Sequence, residues 1–243
     1  MLIIKLNAID STNTYLRQLL QNQNLEDYTI VTTSKQTDGR GQMGTVWDSQ
    51  DGKNLITSIY KDVSVLKTHQ QFYISIVTSL AIIKALKQFQ IPRLAIKWPN
   101  DILSENKKIC GILIENVIKQ DAITASIIGI GLNVNQTDFQ NLPNASSLQS
   151  LTGTHFSLDE VLHVIIDNLK LYFSELQNGN FKVLKTAYET LLFRKNKPST
   201  FKDAKGNLFS GYIKSVTDLG NLCVLLEDEI IKEFDLKELK LLY

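Results

Sequence analysis

Cysteine and histidine are scarce in this sequence, which has two cysteines and three histidines in 243 residues. Cys110 and Cys223 lie far apart and form no C-x-x-C pair, and the histidines show no ligand spacing beside them. Structural zinc sites and disulfide frameworks both depend on such clusters. The sequence therefore argues against either one and predicts two free, mostly buried thiols.

A surplus of charge and long apolar runs are also missing. The 26 basic residues nearly cancel the 25 acidic ones, which leaves a formal charge of +1. This balance of charges gives no indication of general binding to nucleic acids or membrane surfaces. The apolar run before Asp10 is too short for a secretion signal, and the later apolar stretches are interrupted. We expect a soluble cytoplasmic protein without DNA or membrane partners.

Short β-branched runs alternate with amphipathic stretches through the first four fifths of the chain. The spacing of apolar residues predicts helices at 70–90, 158–177 and 181–193, and Ser157 with Glu160 has the pattern of a capping box. Strands are expected at 2–6, 28–33, 54–60, 94–98, 108–118 and 122–134. Only three residues join the last two strands, too few for a parallel crossover, so these strands should form an antiparallel hairpin.

The pattern changes near residues 194–198. Short alternating strands follow, at about 199–202, 208–217, 221–226 and 229–235. Gly206-Asn207 and Gly220-Asn221 are turn pairs suited to positive φ. The sequence thus predicts a larger domain over 1–193 and a small all-β domain over 194–243.

The stretch "GRGQMGTV" at 39–46 fits a G-x-G-x-x-G-x-V template. A dinucleotide-binding turn needs a strand directly before it and a helix after it, and neither is expected here. A protein kinase also needs H-R-D and D-F-G motifs, which are absent from the sequence. What remains is a flexible loop whose backbone can closely approach an anionic or flat ligand. A surface hairpin whose glycines serve only turns is the alternative.

Five polar stretches occur in order along the chain: "DSTN" (10–13), "SKQTDGRGQMG" (34–44), "KWPND" (97–101), "KKICGILIE" (107–115) and "GIGLNVN" (129–135). Together they resemble the catalytic domain of biotin protein ligases, of the monofunctional type that lacks an N-terminal DNA-binding domain. The resemblance implies an α+β fold: a mixed, largely antiparallel sheet with flanking helices, like class II aminoacyl-tRNA synthetases, and a small C-terminal Src-homology-3-like barrel.

The same resemblance implies a two-step reaction. Biotin and ATP, with Mg²⁺, form biotinyl-5′-AMP, and the biotinyl group passes to a lysine of a biotin carboxyl carrier domain of a carboxylase or decarboxylase. A homodimer is a further possibility in this family.

Site residues follow from the matching motifs. The catalytic residues are expected to be Lys108, Arg40 and Asp101, because fixed cations must offset the charge that builds at the α-phosphate. Asp101 is also the candidate Mg²⁺ ligand, beside Asn100. Trp47, Asn100 and Asn133 are assigned to the nucleotide. The residues assigned to biotin are Ser11, Thr12, Asn13, Gln36, Gly39, Arg40, Gly41, Gln42, Lys108, Gly111 and Gly131.

The glycine-rich loop departs from the family pattern. Where relatives often have a run of arginines, this chain has Gln42, Met43 and Thr45. With fewer cations in the loop, we expect charge to hold the adenylate less firmly, and retention to depend more on loop closure and Lys108.

Two other functions compete with this one. A lipoate or octanoate ligase or transferase has the same type of fold, but its ligand lacks a ureido head and does not need the neutral cluster of Ser11, Thr12, Asn13 and Gln36. A non-catalytic biotin-sensing protein should lack the phosphate-directed lysine, and Lys108 with Asp101 argues against it.

Overall fold

The fold is built around a seven-stranded sheet that carries most of the chain's regular structure. The computed structural model describes residues 1–140 and 142–243. The strands lie in the order β1-β2-β3-β7-β6-β5-β4, and only β1 and β2 run parallel. Their bounds are β1 Ile3–Ile9, β2 Thr29–Gln36, β3 Leu55–Asp62, β4 Leu94–Lys97, β5 Asp101–Ser104, β6 Lys107–Lys119 and β7 Ala122–Leu132.

Helices cover both faces of this sheet. The five helices of the described residues are α1 Thr12–Asn22, α2 Phe72–Gln88, α3 Leu148–Thr152, α4 Leu158–Gln177 and α5 Phe181–Thr190. α2 is apolar almost all round, and twelve of its residues are buried, which fits a central core helix. Ile30 and Ile128 belong to the main core with α2, whereas their neighbours Val31 and Ile127 pack with Leu16 of α1. Because successive strand residues point to opposite faces, α1 lies on the face opposite α2.

A second, five-stranded antiparallel sheet follows α5. Its strands are β8 Pro198–Asp203, β9 Leu208–Val216, β10 Leu222–Leu225, β11 Ile231–Phe234 and β12 Leu239–Leu242, in the order β11-β10-β9-β8-β12. Stacked rings of Phe201, Phe209 and Phe234 pack inside it.

The turn between β9 and β10 docks this small sheet on the larger one. The Trp98 indole N–H donates to the Gly220 carbonyl at 2.8 Å. Asp218 accepts from the Tyr73 hydroxyl at 3.2 Å and from the Lys185 ammonium at 2.7 Å. Gly220 has φ +97°, and a side chain there would clash with the ring of Phe72. The turn thus needs glycine for both its backbone conformation and its close packing.

The predicted fold class is confirmed, as is the antiparallel hairpin of β6 and β7. Ser157 caps α4, and its hydroxyl accepts from the Glu160 N–H. The sequence did not reveal α1, β5, α3 or β12. The division into domains at residue 194 stays a prediction. Within the described residues, no helix is both long enough and apolar enough to span a membrane.

Candidate active site

A cavity of about 510 Å³ lies on the α1 face of the large sheet, between the glycine-rich loop and the small sheet. Most of the predicted site residues line it: Ser11, Thr12, Asn13, Gln36, Arg40, Gly41, Gln42, Trp47, Asn100, Asp101, Lys108, Gly111 and Gly131. Gly39 and Asn133 lie outside this lining. Residues far apart in sequence thus converge on one concave site, the usual form of a small-molecule pocket.

Glycines form the floor of the cavity. Gly111 of β6 pairs with Gly131 of β7, and Gly129 lies two residues before Gly131 on the same face. A Cβ atom at Gly131 would lie 2.5 Å from the Trp47 ring, and one at Gly129 would lie 2.6 Å from Asn13 Oδ1. The bare backbone therefore lets the indole and the Asn13 amide lie directly on the sheet.

One end of the cavity holds a cluster of neutral polar groups. Ser11 caps α1, so Thr12 and Asn13 start the helix at the sheet surface. Gln36 Oε1 accepts from the Thr12 backbone N–H at 2.9 Å. The Ser58 hydroxyl lies 2.6 Å from Thr12 Oγ1 and 2.5 Å from Asn13 Oδ1. Thr12, Asn13 and Ser58 are buried, so the cluster is a fixed set of donors and acceptors.

The other end holds an ion-pair cluster. The Lys108 ammonium lies 2.7 Å from Asp101 Oδ1, and the Lys97 ammonium lies 3.8 Å from Asp101 Oδ2. Burial lowers the pKa of Lys97 below its ordinary value, and the Asp101 carboxylate opposes that shift. The strand pairing shifts between β5 and β6 so that Ile109 is the extra residue of a bulge. The bulge places Lys108 on the cavity face, near Gly111.

Two side chains assigned to the nucleotide already have a partner in the protein, and their assignment stays a prediction. The Asn133 amide donates to the Ser146 carbonyl at 3.0 Å, and the residue is buried outside the cavity lining. This bond connects the end of β7 to the loop that contains Ser146. Asn100 Nδ2 donates to the Ile112 carbonyl at 2.8 Å and in this way ties the "WPND" turn to β6.

Arg40 and Lys108 line the same cavity, but each pairs with a different carboxylate. Arg40 Nη2 donates to Thr14 Oγ1 at 2.9 Å and lies 3.6 Å from Glu115 Oε1. The Lys108 ammonium instead contacts Asp101. A shared role of Arg40 and Lys108 at one developing charge, expected from the sequence, stays a prediction.

Trp47 and Gln42 have buried polar atoms without a partner among the described residues, namely the indole N–H and the amide Oε1. The Lys108 ammonium lies 5.6 Å from the centroid of the Trp47 ring. Such orphaned groups are costly inside a protein. Both are therefore candidates for contact with a polar ligand in the cavity.

The described residues contain no group of three or more His, Cys, Asp or Glu that could hold a metal ion. Asp101 is the carboxylate in the lining at this end of the cavity, and its two oxygens already face two ammonium groups. Cys110 is buried nearby, and burial raises the pKa of its thiol well above the ordinary value. It is therefore not a thiolate nucleophile.

Comparisons with known proteins agree with this geometry. The family described as "Biotin/lipoate A/B protein ligase family" matches residues 6–133, more than half of the chain. The chain belongs to this family. The matched segment begins in β1, ends just after β7, and includes every side chain discussed above except those of the loops and sheet that follow.

Relatives within the family share sequence and fold. The bifunctional ligase/repressor BirA of Bacillus subtilis is 34% identical over 178 residues, which are 70% of this chain and 54% of the relative. The biotin–[acetyl-CoA-carboxylase] ligase of Mycobacterium tuberculosis is 24% identical over 201 residues, 82% of this chain and 73% of the relative. The chain spans a little more than half the length of the Bacillus relatives it matches.

A solved structure extends the match to the small sheet. The biotin protein ligase from Aquifex aeolicus, in complex with biotin and ATP, superposes with a TM-score of 0.80 at 27% identity. The match covers 99% of this chain and 98% of that one. That protein therefore shares both sheets of the present fold.

Sequence reasoning missed several residues of the site. The sequence around Ser58 gave no sign that its hydroxyl belongs to the site. Glu115 ends the motif "KKICGILIE", but the motif did not indicate its partners. Gly129 could have been found, because two glycines alternate in "GIGL" at the end of a strand. The small sheet adds Lys202, Lys237 and Lys240 to the lining, which no local motif indicates.

Proposed function

We propose that this protein activates biotin with ATP and transfers the biotinyl group to a lysine of a carrier domain. The observation that carries the proposal is the division of one cavity into two ends: a buried cluster of neutral hydrogen-bonding groups and a lysine–aspartate pair. The glycine floor connects the two ends, and a ligand with a neutral polar head and an anionic tail fits this arrangement.

The neutral cluster suits the ureido ring of biotin. That ring has two N–H donors and one carbonyl, and each left unpaired in a buried site costs about 1–3 kcal/mol. Gln36 holds its Oε1 on the Thr12 N–H, which turns its Nε2 donors away from that bond. A charged side chain in this cluster would instead favour a charged ligand. The backbone of Gly39 and Gly41 and the side chains of Ser11, Thr12 and Asn13 complete our assignment for biotin.

The ion pair suits the adenylation step. The biotin carboxylate oxygen forms a bond to the α-phosphorus of ATP while the bond to the leaving pyrophosphate breaks. Two anions approach each other in this step, so a positioned cation is the main requirement. Lys108 fills that role, and Asp101 holds its ammonium in the cavity. Trp47 provides a flat wall for the adenine ring.

We propose that Mg²⁺ accompanies ATP, with Asp101 as its carboxylate ligand. Mg²⁺ is commonly bound through one or two carboxylates together with substrate phosphates. Because Asp101 already faces two lysines, a metal would share this carboxylate, and positioning Lys108 is its main role in our proposal.

The second step joins biotin to its carrier. The lysine amine of the carrier attacks the mixed anhydride, forms an amide bond and releases AMP. Lys108 again lies where the developing oxyanion needs a donor. A biotin carboxyl carrier domain of a carboxylase or decarboxylase is the proposed partner. A domain boundary at 193/194, a homodimer and a cytoplasmic location stay predictions.

Mass spectrometry of a biotin carrier domain tests the proposal directly. The domain would be incubated with this protein, MgATP and either biotin or lipoate, and Lys108→Ala would serve as the inactive control. We expect one biotinyl addition, none after the acceptor lysine is changed to arginine, and none from lipoate. Lipoyl addition alone would establish the lipoate ligase alternative. Biotin binding without any ATP-dependent product would identify a sensor.

A further inference from the structure

Glu115 contacts both the glycine-rich loop and the neutral cluster of Thr12, Asn13, Gln36 and Ser58, which we call the biotin-head cluster. Its Oε2 accepts from Asn13 Nδ2 at 2.8 Å. Its Oε1 lies 3.6 Å from Arg40 Nη2 and 3.4 Å from Arg17 Nη2. The side chain is mostly buried, with 21% of its area exposed, and lies behind the cavity lining rather than in it. Three segments therefore meet at one acceptor.

We propose that Glu115 is a positioning residue that fixes the hydrogen-bond polarity of the biotin-head cluster and anchors the glycine-rich loop through Arg40. This inference rests on the proposed function for its ligand, biotin, but the anchoring of the loop does not depend on it.

The polarity argument follows from what each group can donate. An ionised carboxylate only accepts, so Asn13 must turn its Nδ2 towards Glu115. Asn13 Oδ1 then faces the Ser58 hydroxyl, 2.5 Å away, and can only accept from it. Ser58 has a single hydrogen, and donating it to Asn13 leaves its oxygen to accept from the Thr12 hydroxyl, which lies 2.6 Å from Ser58 and 3.1 Å from its other acceptor, Gln36 Oε1.

The far end of this chain is fixed independently. The Thr12 backbone N–H donates to Gln36 Oε1 at 2.9 Å, which sets the orientation of the Gln36 amide. Without Glu115, the Asn13 amide could flip, and Ser58 would lose the acceptor that orients its hydrogen. A hydrogen-bond network whose donors and acceptors can take two arrangements binds a ligand less tightly than a network held in one arrangement.

The loop argument rests on Arg40. Its guanidinium bonds Thr14 of α1 and pairs with Glu115 of β6, so it ties the loop to both elements. Within the loop, Gly41 N–H bonds the Thr45 carbonyl at 2.6 Å, and Trp47 N–H bonds the Gly39 carbonyl at 2.8 Å. These bonds close a small hairpin whose only ionic tether among the described residues is Arg40. Removing the carboxylate should loosen that hairpin.

The first experiment compares Glu115→Met and Glu115→Gln in the full chain, with Glu105→Gln as the matched control. Glu105 is an exposed carboxylate in the turn between β5 and β6, pairs with Arg93, and lies outside the cavity lining. We expect Glu115→Met to raise the biotin Kd by calorimetry, and the KM for biotin, by about tenfold or more, since the buried Asn13 amide loses its closer acceptor and keeps only the Leu113 carbonyl at 3.5 Å. Glu115→Gln keeps an acceptor for Asn13 and should recover part of that loss. The KM for ATP should change by less than about twofold.

The second experiment needs no ligand. Hydrogen exchange of the amides at 39–47 should accelerate in Glu115→Met and in Arg40→Met, but not in Glu105→Gln. Arg17 pairs with Glu115 without belonging to the loop, so Arg17→Met should accelerate it less than Arg40→Met. The effects of Glu115→Met and Arg40→Met should not add in the double variant, because both remove the same tether.

The outcomes separate the two proposals. Failure of the wild-type protein to bind biotin would reject the proposed function, and the exchange experiment would still decide whether Glu115 anchors the loop. The inference is overturned if Glu115→Met leaves both biotin affinity and loop exchange unchanged. It is also overturned if KM rises equally for biotin and ATP alongside a lower melting temperature, which would indicate general destabilisation.

Discussion

The Lys108 ammonium and the Asp101 carboxylate are 2.7 Å apart across two adjacent strands of the central sheet. Asp101 is the first residue of β5, and Lys108 reaches it because the bulge at Ile109 reverses the alternation of β6. The carboxylate is less exposed than the ammonium, with side-chain exposures of 14% and 35%. The mostly buried Asp101 carboxylate therefore holds the Lys108 ammonium in the cavity, where part of the ammonium stays accessible to a ligand.

Replacing Lys108 should abolish activation while sparing biotin binding at the neutral end. We expect Lys108→Ala to lower biotin-dependent pyrophosphate release on the order of 10²- to 10³-fold, as for the loss of a donor to a developing charge. Calorimetry with biotin should show a much smaller change. Lys107→Ala is the control, because Lys107 is exposed and should leave the rate unchanged. Equal effects of the two substitutions would contradict the assigned role of Lys108.

Adding charge to the glycine-rich loop should slow the loss of the intermediate. Gln42 lines the cavity and has a buried Oε1 without a partner in the described part of the chain. We expect Gln42→Arg to lower the rate at which biotinyl-5′-AMP escapes, because a guanidinium attracts the adenylate phosphate. Dialysis of preformed adenylate measures that rate.

Gln88→Arg, at the exposed end of α2, adds the same charge away from the cavity and should leave the escape rate as it is. An unchanged rate in Gln42→Arg would mean that loop charge does not govern retention in this protein.

Filling the glycine floor should displace the indole of Trp47. A Cβ atom at Gly131 would lie 2.5 Å from the ring, whereas one at Gly111 would lie 3.0 Å from it. Gly131→Ala should therefore shift the tryptophan fluorescence and weaken ATP binding more than Gly111→Ala does. Titration with ATP, followed by fluorescence, gives both quantities. The prediction fails if Gly111→Ala has the larger effect.

The sequence predicted which residues line the cavity better than it predicted which side chains contact one another. Motif residues such as Lys108 and Gly131 were found because each lies in a short stretch with a distinctive pattern. The contacts of Glu115 and Ser58 depend on strand register, which sets side-chain neighbours across the sheet and is not encoded by local spacing.

Local pattern also did not reveal α1 or the partners of Arg40. α1 was not predicted because it begins with the polar stretch "STN" and has a narrow buried face. Only Thr12, Asn13 and Leu16 of this helix are buried. The family resemblance assigns Arg40 to the phosphate, and that assignment stays a prediction. The pairing of Arg40 with Glu115, on β6, is revealed only by the folded chain.

The contact between the two sheets should make stability depend on alkaline pH through Tyr73. Burial, with a smaller contribution from the Asp218 carboxylate, raises the pKa of Tyr73 from 10.0 to about 12. Below pH 10 the hydroxyl is protonated in both the folded and the unfolded chain, so Tyr73 adds no pH dependence. Between pH 10 and 12 the unfolded chain ionises first and binds fewer protons, so the free energy of unfolding falls as pH rises.

Tyr73→Phe should flatten that part of the stability curve. At neutral pH it should cost about 1 kcal/mol, because the hydrogen bond to Asp218 is lost. Urea unfolding of wild type and variant at pH 8, 10, 11 and 12 gives the difference.

Other buried tyrosines, such as Tyr28, also resist ionisation, so the wild-type curve alone does not isolate Tyr73. Tyr212→Phe removes an exposed hydroxyl, and its curve of unfolding free energy against pH should run parallel to that of the wild type. If Tyr73→Phe also runs parallel to wild type above pH 10, the Tyr73–Asp218 contact does not carry the alkaline sensitivity, and the docking of the small sheet depends on its other bonds, such as the one between Trp98 and Gly220.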